Sequence, residues 1–528
     1  RPIANRPIAN RPIANRPMTV EECKNFNQKI ISNSRYQRIE QDTAGDIEQF
    51  NASRVREDLT LKPEPSFKDN LFENKRVIPP NKIWHKNRNL DSRAVANTFK
   101  YIFYKFKKGI FIRIADNKLQ TFLPFENAHY KNEFGHILKV DPKYGSVQDF
   151  LDHVSKLLGY RSSRQNTKPV YEWVANNSLV RYEVEDISVA ASGNNNGNNK
   201  ITLLDMFRTL CSERDVPDIE FFINRRDYPQ MKVDDTEPYN HIWGTKYQPL
   251  VSHQYDKYAP ILSGSSTKMH ADIPFPTYED WARATYQKTG LVFPNACREY
   301  PDIKLTPWSK KIEKAVFRGA TTGSGVTEDT NQRLKALQMG VQHKNVLDVG
   351  ITKWNLRPRK LEGSDYLQTI ERGKGNYNKA NRLNLQEQSQ YKYILTLEGH
   401  VAAYRLSYEL SSGSVVLLAG SQWQMWYYPF LKAYEHYVPV KEDLSDLLTQ
   451  ITWCKTNDAK CEQIAKNARS FYSKYLGIGG ILDFLQKELW ELPARTKPYK
   501  YLPDLTIWAM EDEERQLFDD LRGSLRTG

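Results

Sequence analysis

The chain has 528 residues, and Lys plus Arg exceed Asp plus Glu by 13; its apolar content suffices for two or three domain-sized cores. The basic excess suits an anionic glycan or a phosphorylated small substrate. It is spread along the chain without zinc-finger spacing, an RNP-like aromatic strand pair or a dense Lys/Arg run, so no nucleic-acid partner is expected.

Residues 1–17 read RPIAN three times and then RP. A proline every five residues excludes a regular helix or ladder and predicts a disordered tail. Residues 18–88 read as a polar extension or linker, and 89–190 as an accessory α+β module. Within it, apolar and polar residues alternate from Tyr101 to Phe125 around Lys108–Gly109, which predicts two strands with the turn at that pair. Residues 147–158 carry an amphipathic helical stripe, and the Asn/Gly stretch 191–200 reads as a flexible loop. Residues 201–305 then give a short helix (Leu203 to Leu210), a buried strand (Ile219 to Ile223) running into a turn, and a helix over 278–288.

Residues 306–490 open with a strand at 313–318. From Tyr391 to Ser421 the chain reads strand, sharp turn, helix, strand: an apolar run from Tyr393 to Leu397, a stripe at Ala402, Leu406 and Leu410, Gly413 at the C-cap, and a second run from Val415 to Ala419. Strands separated this way make a parallel βαβ unit, whose turn at Gly399–His400 brings a helix N-terminus to a sheet edge, where an anion is favoured. Arg405 is then either a solvated surface arginine or a guanidinium for that anion. Trp423, Trp426, Tyr427 and Tyr428 are core aromatics or a stacking surface, and Glu398 is a turn residue or a ribose contact. Asp443 is the predicted N-cap of the next helix, with Asp446 at the capping-box position. A last clear helix spans 458–476 and stops at Gly477. Residues 491–528 form a tail, acidic around Glu511–Glu514.

Five cysteines stand at 23, 211, 297, 454 and 461 without zinc or redox spacing. Reduced thiols are the default, although Cys454 and Cys461 could pair in an oxidising compartment. No apolar run reaches transmembrane length, position 1 is not methionine, and the N-terminus lacks a signal-peptide core. The chain ends LRTG without an ER-retention tetrapeptide. A cytoplasmic location is the expectation.

Ordered blocks from about Asp218 to Trp490 carry a family resemblance: FFINRRDYPQ (221–230), ADIPFPTYEDW (271–281), VFRGATTG (316–323), EGHVAAYRLSYEL (398–410) and HYVPVKEDL (436–444). On these the chain resembles glycosyltransferase family 90, which contains the Rumi-like protein O-glucosyltransferases, capsule-associated and lipopolysaccharide-modifying proteins. As a whole it looks most like members encoded by large DNA viruses of protists. The resemblance implies a GT-B-like pair of Rossmann-like domains, with 201–305 on the acceptor side and 306–490 binding the nucleotide sugar. It also implies metal-independent, inverting transfer of glucose or xylose from a UDP-sugar to a hydroxyl of a protein or glycan, with no cofactor. From the residues alone Asp227, before Tyr228–Pro229, is more often a turn residue; the resemblance reverses this, since Asp227 matches the family's base. An arginine at the position of Arg333 helps hold the donor diphosphate. The remaining donor-side candidates are Arg318, Gly319, Thr321 and Thr322 on the glycine loop, and Gly399, His400, Val401, Ala402, Ala403, Tyr404 and Arg405 on the turn. Ala320 stands where the family often has serine. No Asp-x-Asp pair occurs anywhere, which agrees with the expectation of no metal. The rival reading is a non-catalytic basic binder of acidic glycan or nucleic acid on a degenerate transferase fold.

Overall fold

The structure, a computed structural model, describes residues 65–79, 108–126, 195–233, 258–289, 304–323, 328–355 and 379–495, with short stretches between 82 and 106 and at 171–174 and 179–182. The repeat tail, the predicted helix at 147–158 and the acidic C-terminal stretch lie outside the described residues.

After a two-residue strand, β1 (Asn89–Leu90), the first half contains β2 (Lys108–Ala115), β3 (Lys118–Glu126), a small ribbon of β4 (Tyr171–Val174) and β5 (Leu179–Tyr182), α1 (Asn195–Glu213), β6 (Ile219–Asn224), β7 (Ile261–Ser263), β8 (Ile273–Pro274) and α2 (Tyr278–Thr289). Its main sheet has the order β3-β2-β6-β7-β8, antiparallel on the β2 side and parallel from β6 onward.

The second half contains β9 (Ile312–Ala320), α3 (Gln332–Gln342), β10 (Leu347–Lys353), α4 (Leu385–Gln388), β11 (Tyr391–Thr396), α5 (Leu406–Glu409), β12 (Val415–Ala419), β13 (Val438–Val440), α6 (Leu447–Thr456), α7 (Asp458–Tyr475), α8 (Ile478–Glu491) and β14 (Ala494–Arg495), which pairs with β1. Its sheet, ordered β10-β9-β11-β12-β13, is parallel throughout. Parallel strands need crossovers and cover on both faces, and the runs in β11 and β12 are accordingly buried almost end to end. The expected α/β class with parallel sheets stands.

Several expectations are corrected. The hairpin turn is not at Lys108–Gly109 but at Asp116–Asn117, whose φ values of 52° and 59° make a tight turn matched to strand twist. Lys108 and Gly109 begin β2 instead, and β2 continues the sheet of β6 from Gly109↔Asn224 to Ile114↔Ile219. The hairpin therefore belongs to the sheet of β6. The loop expected at 191–200 is helical from Asn195, continuous with the turns from Leu203 onward. Packing of the later turns carries the helix back into residues of poor intrinsic propensity. Asp446, not Asp443, caps α6, and its side chain instead accepts from Lys441 N at 2.8 Å. Gly477 stops α7 but also caps α8, an amphipathic helix absent from the sequence reading.

Part of the expected N-terminal linker is an ordered strap. Phe72 is fully buried among Phe430, Tyr475 and Phe484. The Val77 and Ile78 amides donate to the Glu491 carboxylate at 3.3 and 3.1 Å. Lys82 inserts its ammonium between Ser266 and the Thr267 and His270 carbonyls. Cys211, Cys454 and Cys461 are buried, and Cys454 and Cys461 are free thiols rather than a disulfide. No helix among the described residues is long and apolar enough to cross a membrane.

Candidate active site

Open α/β sheets place ligands beyond the C-terminal ends of their strands. At that edge of the second sheet, Asn331 caps α3 by accepting from the Arg333 and Leu334 amides. This turns the Arg333 side chain back under the sheet edge. Its Nε donates to Glu398 O at 2.7 Å, Nη2 to Leu397 O at 3.1 Å, and Nη1 to Ala320 O at 3.0 Å and to the Thr322 hydroxyl. Arg333 thereby ties the end of β9 to the end of β11. Burial lowers its pKa to about 9, with the Arg405 charge pushing the same way and Glu409 and Glu398 opposing.

Arg405 differs. Its guanidinium lies 5.3 Å from the centre of the Phe317 ring, which Arg333 also faces at 5.5 Å. Among the described residues its side chain makes one hydrogen bond, from Nη1 to Arg318 O. Gly319 permits the approach, since a Cβ there would stand 2.8 Å from the Phe317 ring and 3.1 Å from Arg405 Nη2. Half-buried, with most N–H groups uncommitted among the described residues, Arg405 can receive an anion. Behind the pair lies Glu409, buried and accepting from the Thr396 hydroxyl at 2.6 Å. Burial raises its pKa against the pull of both arginines.

The other donor-side candidates divide. Gly399 closes a tight loop through its N–H to Val401 O at 2.9 Å, with Arg333 Nη2 and Thr322 Oγ1 on its open side. His400 Nδ1 meets the Gly323 backbone. Val401, Ala402 and Ala403 are buried packing residues. Thr321 is fully buried, its hydroxyl accepting from Asn355 N at 2.8 Å. The Arg318 side chain turns to the β10 side, pairing with Asp348 at 2.7 Å, so only its carbonyl belongs to the cluster. Residues 400–405 are not the first turns of a helix. Their closures are short-range, Leu406 N reaching Ala403 O, and the first α-type bond runs from Glu409 N to Arg405 O at 3.0 Å. A helix of four residues supplies no macrodipole, so the anion-attracting groups here are guanidinium groups. Trp423, Trp426 and Tyr427 are buried in the core, and the Trp426 indole donates to Asp280 at 3.1 Å.

The opposite wall is the end of β6. Asp227 is exposed on the turn that follows. Its charge reaches Tyr404 and Tyr278, raising the pKa of both hydroxyls, although burial is the larger cause in each. Tyr404 crosses from the Arg405 loop to β7, where its hydroxyl would lie 2.7 Å from a Cβ on Gly264. The structure thus brings Asp227 and the Arg405 loop to one place. Asn224, Asp272 and Glu409, which hold these loops, were missed in the sequence. A polar residue ending a buried strand, as Asn224 does, was the available signal.

The model for glycosyl transferase family 90 matches residues 198–497, a span containing Asp227, Arg333, Tyr404 and Arg405. Uncharacterized protein 179R of Invertebrate iridescent virus 6 is 41% identical over 541 residues, covering 92% of this chain and 44% of its own length. Uncharacterized protein 027R of Frog virus 3 is 38% identical over 423 residues, covering 76% of this chain and 42% of its own. Protein O-glucosyltransferase 3 of Mus musculus is 30% identical over 263 residues, covering 49% of this chain and 44% of its own. The chain spans less than half the length of these relatives. The expected likeness to viral proteins is met, in viruses named for an invertebrate and a frog rather than for protists.

Proposed function

The chain belongs to glycosyl transferase family 90, a family of glycosyltransferases, and on that footing we propose that it transfers glucose or xylose, with inversion, from a UDP-sugar to a hydroxyl of a protein or glycan. Glucose and a protein acceptor are favoured by the names of the O-glucosyltransferase relatives. The acceptor oxygen attacks the anomeric carbon and Asp227 takes its proton. The bond from the anomeric carbon to the diphosphate oxygen breaks, and its electron pair leaves with UDP. Arg405 carries the growing charge on the diphosphate, and Arg333 fixes the loops around it. The sugar nucleotide is a substrate, and neither a cofactor nor a metal ion is assigned a role.

The observation that carries this reading is the Arg405 guanidinium, which among the described residues holds only one carbonyl, on a loop whose Tyr404 feels the Asp227 charge. It is tested by thermal-shift titration with UDP-glucose and UDP-xylose, followed by measurement of UDP release without acceptor. A transferase is stabilised by a UDP-sugar and slowly releases UDP. Stabilisation without any release, with or without acceptor hydroxyls, would identify a non-catalytic binder.

A further inference from the structure

The turn presenting Asp227 is held from beneath by the Asn224 side chain. Asn224, the last residue of β6, is buried at 7% exposure. Its Oδ1 accepts from Arg226 N at 2.7 Å and from Gln230 Nε2 at 2.8 Å, while Nδ2 donates to Tyr228 O and to Ser263 Oγ at 3.0 Å. The amide orientation follows from the backbone, since an N–H only donates and a carbonyl only accepts. All four hydrogen-bonding sites of the carboxamide are therefore in use. Two of them grip the main chain at 226 and 228, on either side of Asp227.

A second buried group closes the frame. Asp272 accepts from Gln230 N and Met231 N at 2.7 Å each and from the Ser263 hydroxyl at 2.6 Å. Ser263, Gln230 and Asn224 thus form one connected network under the exposed carboxylate, and Pro229 restricts the chain between them. Aspartate could not donate to Tyr228 O, and glutamine is one methylene too long for the same grip.

We propose that Asn224 is a positioning residue for sugar transfer, its carboxamide fixing the turn that aims Asp227 at the acceptor hydroxyl. This rests on the reading of Asp227 as the base. A general base works only within hydrogen-bond reach of the proton it removes, and small displacements of such a group are costly in rate. Asn224 is buried and grips the main chain on both sides of Asp227, so its expected effect on transfer runs through that turn.

The test is a double-mutant cycle in the full chain with Asn224→Asp, Asp227→Asn and the pair, reading turnover, donor KM, UDP affinity and melting temperature. Asn224→Asp is expected to lower kcat roughly 10- to 100-fold, a share of the general-base contribution, with donor KM and UDP affinity within about twofold. In the Asp227→Asn background the same change is expected to cost less than about threefold, because the group it aims is gone. If Asn224→Asp does not fold, Asn224→Ser takes its place with the same expectations. Near-native kcat in a folded Asn224 variant, an equal loss in both backgrounds, or failure of both variants to fold would overturn the proposal in favour of a purely structural carboxamide. Near-native turnover of Asp227→Asn would instead remove the base itself, a result distinct from all of these.

Discussion

Arg333 and Arg405 both face Phe317, yet their duties differ. Arg333 gives its donors to carbonyls at two strand ends and to Thr322, whereas among the described residues Arg405 holds one carbonyl. Arg405→Ala should therefore lose about 2–4 kcal/mol of UDP affinity by calorimetry, with the fold intact, because a charged ligand loses its partner; unchanged affinity would remove the residue from the site. Asp227→Asn keeps shape but not basicity, so turnover should fall at least about a hundredfold with UDP affinity retained. Asp272 gives a pH signature. Burial raises its pKa from 3.8 to about 6, against hydrogen bonds from Ser263, Met231 and Gln230 and the nearby Lys82 charge. Since the folded pKa lies above the unfolded one, the folded state binds more protons in that window. The stability this group contributes is full below about pH 4 and lost as pH rises through 6, by about 3 kcal/mol for a carboxyl raised this far. Urea unfolding of the wild type compared with Asp272→Asn should show that difference shrinking from pH 4 to 6; a constant difference would count against it.

Among the elements, the turns decide where the site groups point. Gly413, the expected C-cap, adopts φ 67° on the turn before β12, but the short α5 is capped three residues earlier, at Leu410. Gly264 matters for space rather than for dihedral freedom, because a methyl there would meet Tyr404 Oη at 2.7 Å and Thr277 Cγ2 at 3.2 Å. Gly264→Ala should push the Tyr404 loop from β7, costing about 1–3 kcal/mol as overpacking does. Tyr404→Phe in the same chain removes the atom that clashes and should recover part of the melting temperature. If the double variant melts no higher than Gly264→Ala, the contact is not the cause.

At the scale of the molecule, loops of the two halves meet at the Ser266↔Gln424 bridge, the 65–79 strap packs on α8, and Lys82 reaches the Ser266 loop. With guanidinium groups as the proposed counter-charge, transfer should proceed undiminished in EDTA; turnover abolished by the chelator and restored by manganese would falsify metal-free transfer. The parallel βαβ pairing of β11 with β12, the buried β6 and the helices at 278–289 and 458–475 were legible in the sequence, because hydrophobic period and punctuating glycines are properties of neighbours in the chain. So were the residue types of the site, through the ordered blocks from FFINRRDYPQ to EGHVAAYRLSYEL. Tertiary structure alone decided that the β2–β3 hairpin extends the sheet of β6, and that 400–405 is a coiled loop rather than a helix. It also decided how many partners each arginine finds among the described residues. Arg318, Arg333 and Arg405 are alike as letters. Their partners lie across strand ends 30, 65 and 87 residues away, so sheet order rather than local sequence sets which donors each guanidinium keeps.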